Sequence, residues 1–229
     1  MLIHKEGRKI VFRILVILLL LNGVMMYFLP KNFLTFFIFA LSVVFYVLML
    51  NFYRKPRRIY KGKLLDIVNA PTDGKVVVIE KVFEKEFFNE ERIQISIFMS
   101  FFNAHANWIP VTGKIIHASH ANGRFHAAYL PKSSHENEHS NVIIETPDGH
   151  KILAKQIAGA VARRVVTYVK EGQSCTIGDP LGFIKLGSRM DIFLPVDSEI
   201  LVKLGEEVRA NRTFLAHLPG YKEKEAALQ

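Results

Sequence analysis

Two apolar stretches stand near the start of this chain, about Ile10 to Leu29 and Phe33 to Tyr53, separated only by Pro30-Lys31-Asn32. Each has the roughly 20 residues that a helix needs to cross the hydrocarbon core of a bilayer. Neither carries the polar face at helical spacing that a surface helix of a soluble domain shows. A cleaved signal peptide has a shorter apolar region and is not followed at once by a second one. The short connector makes the pair a helical hairpin with both ends on one side.

Charge assigns that side. Lys5, Arg8, Lys9 and Arg13 precede or enter the first stretch, and Arg54, Lys55, Arg57, Arg58, Lys61 and Lys63 follow the second, against Lys31 alone in the turn. Cationic flanks face the cytoplasm, so the chain is expected in the cytoplasmic membrane with its remainder inside the cell. Arg13, about a turn within the first stretch, reaches the headgroups by snorkelling. The formal charge of +9 therefore suits anionic lipid, where each juxtamembrane cation gains roughly 1 kcal/mol. No zinc-finger spacing or aromatic RNA-binding signature points to nucleic acid.

The 229 residues divide into a membrane anchor over 1–58 and one domain of ordinary size over 59–229. A lone Cys175 excludes an intrachain disulfide and fits a strand residue better than a nucleophile. Arg92-Ile93-Gln94-Ile95-Ser96-Ile97 alternates apolar and polar residues, the period of a half-buried strand. Asn141 to Thr146 and Lys151 to Ile157 form the arms of a hairpin around Pro147-Asp148-Gly149. The stretch from Ile157 to Arg164 is open between helix and strand.

Further on, Val169-Lys170-Glu171-Gly172-Gln173, Gly178-Asp179-Pro180-Leu181-Gly182 and the Leu201 to Val208 stretch with its Gly205 turn repeat strands and turns closely. This phrasing resembles the barrel-sandwich modules of biotinyl and lipoyl carriers. The expected fold class is thus mainly β, a barrel-sandwich-like domain behind a two-helix transmembrane hairpin. A carrier lysine fits poorly, because Lys185 is displaced from the tip where such a lysine belongs. A non-enzymatic adaptor or a carrier domain nevertheless stays open as an alternative.

Gly187-Ser188 lies between two apolar runs, and on the dipeptide alone it is a two-residue hairpin turn. Its context, Gly182-Phe183-Ile184 followed by Leu186-Gly187-Ser188-Arg189-Met190-Asp191, resembles the processing motif of the phosphatidylserine decarboxylases, in their short bacterial and archaeal branch. Other matches follow in the family's order: Phe52-Tyr53-Arg54-Lys55-Pro56-Arg57-Arg58, Ala70-Pro71-Thr72-Asp73-Gly74-Lys75-Val76, the histidine motif between Met99 and Gly113, Ile157-Ala158-Gly159 and Arg163-Arg164. Together they cover about Phe52 to Ala216, and several ordered motifs are far more specific than one.

The resemblance implies that the chain cuts itself between Gly187 and Ser188 into a β chain (1–187) and an α chain (188–229) that stay associated. A hydroxyl beside a glycine carbonyl can attack it, since glycine has no side chain to block the approach. Elimination and hydrolysis then turn Ser188 into a pyruvoyl group, the covalent cofactor. Its ketone forms a Schiff base with the amine of phosphatidylserine and draws off the electrons released with carbon dioxide, giving phosphatidylethanolamine. A related serine lipid, archaetidylserine, is an alternative substrate. The partners implied are phospholipid and membrane, with a homo-oligomer left open.

The family's pattern assigns His105 as base or acid and Asp73 as the carboxylate that orients or assists it. Thr72-Asp73-Gly74 alone is an ordinary turn sequence, and His105 alone an ordinary strand-end histidine. Longer members carry a second histidine where this chain has Trp108, which leaves open whether His105 serves both steps. Trp108 also replaces a basic residue of the short branch, and Glu136-Asn137-Glu138-His139 ends in His where Arg is expected. Phe101, Phe102 and Trp108 are expected at the membrane interface or against substrate. His117, His120, His126, His135 and His139 form a run without helical metal-site spacing, so a solvated loop and no metal are expected.

The topology has a direct consequence. A membrane-impermeant thiol reagent applied from outside should label a cysteine placed at Lys31 and spare one placed on the surface of the 59–229 domain; labelling of the domain instead would reverse the assigned orientation.

Overall fold

The computed structural model describes residues 2–60, 66–123, 137–159, 164–185 and 188–221. The first elements are β1 (Leu2–Ile3), α1 (Lys5–Phe28), α2 (Phe33–Phe52) and β2 (Arg54–Lys55). The rest is strand: β3 (Ile67–Asn69), β4 (Gly74–Glu84), β5 (Glu90–Met99), β6 (Ala106–Trp108), β7 (Gly113–Ala121), β8 (His139–Glu145) and β9 (Lys151–Ala158). It continues with β10 (Arg164–Thr167), β11 (Ser174–Cys175), β12 (Pro180–Lys185), β13 (Ser188–Leu194), β14 (Glu199–Ile200), β15 (Glu207–Val208) and β16 (Phe214–His217). The mainly β class expected from the sequence is the one observed.

Two compact units result, Met1–Arg57 and Arg58–Gln229. In the first, α1 and α2 are long and apolar enough to cross a membrane. Apolar side chains such as Leu19, Leu20, Phe36 and Val44 are exposed along them, which a core helix of a soluble domain would not tolerate. Asn32 caps α2 by accepting from the Thr35 amide at 3.1 Å. Between the helices, Asn22 Nδ2 donates to Ser42 Oγ at 2.9 Å, a polar tie of the kind that joins helices in lipid. At the open end, β1 pairs with β2.

In the second unit an eight-stranded antiparallel sheet, in the order β11-β7-β8-β9-β13-β5-β4-β15, curls into a half-barrel. Two three-stranded sheets, β10-β12-β6 and β14-β16-β3, complete it. One face of the large sheet supplies the core. Ile95, Ile97 and Met99 from β5, Met190, Ile192 and Leu194 from β13, and Val142 and Ile144 from β8 are all buried there, each contributing roughly 1.5–3 kcal/mol by leaving water.

The expected hairpin arms are β8 and β9, paired from His139↔Ile157 to Glu145↔Lys151, with Gly149 at φ 83° in the turn. Ile157 and Ala158 are strand and Arg164 opens the next strand; 160–163, within the stretch left open from the sequence, lie outside the described residues. The alternation in β5 holds, yet its outward residues Arg92 and Ser96 are buried too. The reason is a second layer: Phe87 and Phe88, beyond the end of β4, pack with Val82, Ile143, Leu153 and Phe193 on the outer face. Within the Leu201 to Val208 stretch, 201–206 connect the short strands β14 and β15, with Gly205 at φ 85° in the turn, and only Glu207–Val208 is strand.

Cys175 is buried in β11, its thiol donating to the Gly113 carbonyl at 3.4 Å, and burial pushes its pKa up to about 11. Because only the thiolate is nucleophilic, Cys175 in the native protein should resist a thiol reagent at neutral pH and react fully once urea unfolds the domain. Rapid native labelling would contradict this packing.

Candidate active site

Ser188 is the first residue of β13, and Gly187, with Leu186, lies outside the described residues. β12 ends just before this point but pairs with β10 and β6, whereas β13 pairs with β5 and β9. The chain therefore changes sheets between Lys185 and Ser188. A two-residue hairpin would have paired β12 with β13, so the turn reading of the dipeptide is corrected. Gly-Ser carries a local turn preference only, and the partners available to each strand decided the outcome. Lys185, the residue a carrier domain would modify, is likewise a strand residue opposite Arg164, not a hairpin tip.

Ser188 is wholly buried between Ala158 of β9 and Met99 of β5, its register partners. Its hydroxyl donates to Met99 Sδ at 3.6 Å. The same sulfur receives Thr72 Oγ1 at 2.7 Å and Asn107 Nδ2 at 3.8 Å. A thioether is a weak acceptor, so it holds the serine oxygen in place without engaging its lone pairs.

His105, also wholly buried, immediately precedes β6. Its Nδ1 lies 3.0 Å from the Asn103 carbonyl. A carbonyl only accepts, so Nδ1 carries the hydrogen and Nε2 keeps its lone pair, the form of a general base. Asn103 is itself fixed, its Oδ1 accepting from the amide and hydroxyl of Ser100 at 2.8 and 2.7 Å. The His105 carbonyl accepts from the Ile184 amide at 3.2 Å, which binds the histidine segment to the strand that leads to Ser188.

Asp73 stands at the head of β4, beside the end of β5 that holds Met99. Its carboxylate forms a two-pronged ion pair with Arg58, the second contact at 2.7 Å, and accepts from the Ala210 amide at 3.0 Å. Two backbone bonds, Asn69 N to Pro110 O at 2.8 Å and Trp108 N to Pro71 O at 2.9 Å, run the Asn69–Pro71 segment antiparallel to Trp108–Pro110. Followed further, both tracks bring the Thr72-Asp73 turn and His105 to the same end of the domain. Arg58 and Met99 were not singled out from the sequence. Arg58 was hidden among the cations of the membrane exit, and Met99 looked like the last apolar residue of an alternating strand.

The aromatic trio separates. Phe102 is 66% exposed, with Phe101 edge-on to it, whereas Trp108 is only 4% exposed and sits in β6 opposite Pro180. Trp108 is thus a core residue, because the antiparallel tracks on either side of β6 enclose it, and it does not face a membrane. Among the run of histidines, His117 Nε2 is 2.9 Å from Ser119 Oγ and His139 Nδ1 2.7 Å from the Asn137 carbonyl; His126 and His135 lie outside the described residues. Among the described residues no three His, Cys, Asp or Glu side chains converge on one point.

Comparison with known proteins agrees with the motif reading. A family model described as phosphatidylserine decarboxylase matches residues 45–216. The chain is 48% identical over 217 residues to the phosphatidylserine decarboxylase proenzyme of Phocaeicola vulgatus, covering 94% of this chain and 95% of that one. It is 47% identical over 218 residues to the proenzyme of Parabacteroides distasonis, with 95% and 99% covered. With that of Porphyromonas gingivalis the identity is 44% over 220 residues, with 96% and 100% covered.

The Arg58–Asp73 pair yields a quantitative expectation. Removing one partner of a buried, two-pronged ion pair leaves an uncompensated charge and costs about 3 kcal/mol or more. Arg58→Met should lower the urea midpoint of the full-length protein accordingly, and unchanged unfolding would show that the pair contributes no stability.

Proposed function

This chain belongs to the phosphatidylserine decarboxylase family and is an enzyme of that class, and from that premise we propose that it makes its own reactive carbonyl at Ser188. The observation that carries the reading is the position of Ser188: buried, where the chain passes from one sheet to another, its hydroxyl donating to the Met99 sulfur among the described residues. His105 Nε2 takes the hydroxyl proton, Oγ bonds to the Gly187 carbonyl carbon, and the carbon–nitrogen bond breaks as its nitrogen gains a proton. An ester joins the two parts. A base then removes the Ser188 α-proton, the Cβ–Oγ bond breaks, and Gly187 leaves as a carboxylate.

Tautomerisation, addition of water and loss of ammonia complete the conversion of Ser188 to pyruvoyl. The surroundings fit that small, uncharged group, since Ala158 and the thioether of Met99 flank it and bring no charge against it. Once formed, it supplies a ketone that takes up the amine of phosphatidylserine and accepts the electrons released with carbon dioxide. His105 holds and returns the proton at the same place. Asp73, from the neighbouring turn, assists through its charge by stabilising the protonated imidazole. The cationic flanks of α1 and α2 keep this work at the cytoplasmic leaflet.

The cut should not release a fragment. The proposed α chain would begin with β13, which is paired on both edges, and its later strands β15 and β16 pair with β4 and β3. The expected outcome is that wild-type protein elutes as one native species and separates into a long and a short chain only under denaturing conditions. Ser188→Ala should fold, stay whole and lack decarboxylase activity. A Ser188→Ala protein that is cut or active would sink the proposal.

A further inference from the structure

Behind Ser188 lies a file of buried polar side chains between the large sheet and the β10-β12-β6 sheet. Gln156 of β9 is wholly buried and Asn107 of β6 nearly so. Gln156 Oε1 accepts from the hydroxyls of Ser140 at 2.8 Å and Thr167 at 3.0 Å. Its Nε2 donates to Asn107 Oδ1 at 2.8 Å. The amide of Asn107 is thereby turned so that its NH2 group faces Met99 Sδ, 3.8 Å away. That sulfur is also the partner of the Ser188 hydroxyl at 3.6 Å.

Each link in this file is well matched except the last. Every oxygen and nitrogen from Ser140 to Asn107 Oδ1 has a partner at ordinary distance, whereas the Asn107 NH2 is spent on a long contact to a thioether. A buried amide donor left with so weak an acceptor forgoes much of a hydrogen bond, and such a group in a native core calls for a reason. The backbone is shaped to keep it there: a Cβ at Gly182 would lie 2.6 Å from Gln156 Nε2 and 2.2 Å from the Val166 carbonyl. Gly182 thus makes the room that the Gln156 amide occupies.

We propose that Asn107 is the donor that meets the negative charge developed when Ser188 reacts, with Gln156 as the residue that aims it. The inference rests on the reading of Ser188 as the self-cleaving nucleophile. In that step the Ser188 hydroxyl proton goes to the base, the Oγ–C bond forms, and the carbonyl π pair moves onto the carbonyl oxygen. Asn107 donates to that anion; as the carbon–nitrogen bond breaks, the pair returns and the proton passes to nitrogen. A preorganised donor at such a point gains most in a buried site, because it need not reorient when charge appears. The weak contact to sulfur in the resting state costs little to give up.

The test follows self-cleavage itself, by denaturing gel and intact mass, in full-length protein chased after a short pulse of synthesis. Asn107→Asp keeps an acceptor for Gln156 Nε2 but has no N–H to offer, and Asn107→Leu removes the donor without adding charge. Both should be folded by circular dichroism and thermal melting, yet cut about 10²–10³ times more slowly than wild type, the loss typical of one such donor. Gln156→Glu, which keeps the bonds to Ser140 and Thr167 but turns the Asn107 amide over, should also slow the cut. A folded Asn107 variant that is cut within a few-fold of the wild-type rate overturns the proposal. Failure of all three variants to fold also overturns it, because a structural role then suffices. Wild-type protein that is itself never cut would instead refute the reading of Ser188.

Discussion

The backbone pairing of β13 governs the second unit. The strand lies in the middle of the eight-stranded sheet, held by β9 on one edge and β5 on the other. One of its faces fills the core through Met190, Ile192 and Leu194. On the other face Arg189 and Asp191 form a buried ion pair, with Arg189 Nη2 2.9 Å from Asp191 Oδ2. A one-residue slip would exchange these two faces and bury charge in the apolar core. The register is therefore fixed, and with it the place of Ser188 opposite Met99.

The reaction proposed for Ser188, at the start of such a strand, combines two needs that usually conflict. The bond before it has to be free to distort, and the atoms after it have to stay still. The chain leaves one sheet at Lys185 and enters another at Ser188, so that the strands before and after this step belong to different ladders. Pairing with β5 and β9 holds Ser188, and the Asn103 carbonyl holds the tautomer of His105, the histidine proposed to act on it.

Much of this was legible in the sequence where the signal is local. The two apolar helices follow from hydropathy and length, and the β8–β9 hairpin from alternation around Pro147-Asp148-Gly149. Ordered motifs point to the family, which the comparisons show, and to Ser188, His105 and Asp73 as the residues proposed to act. What stayed hidden depends on pairing across the fold. Arg58 meets Asp73 from 15 residues away and Gln156 meets Asn107 from 49, separations that no periodicity encodes. Trp108 showed the same limit from the other side, since an aromatic beside a histidine motif looks the same whether it faces lipid or, as here, the core.

The central claim is that the chain turns its own Ser188 into the group that does the chemistry. The most direct measurement is the intact mass of the short chain from purified, active wild-type protein. The account predicts a chain that runs from position 188 to Gln229 and is lighter by one ammonia than the same chain beginning with an intact serine. An active preparation containing only the uncut chain, or a short chain with an unchanged serine at its start, would contradict it.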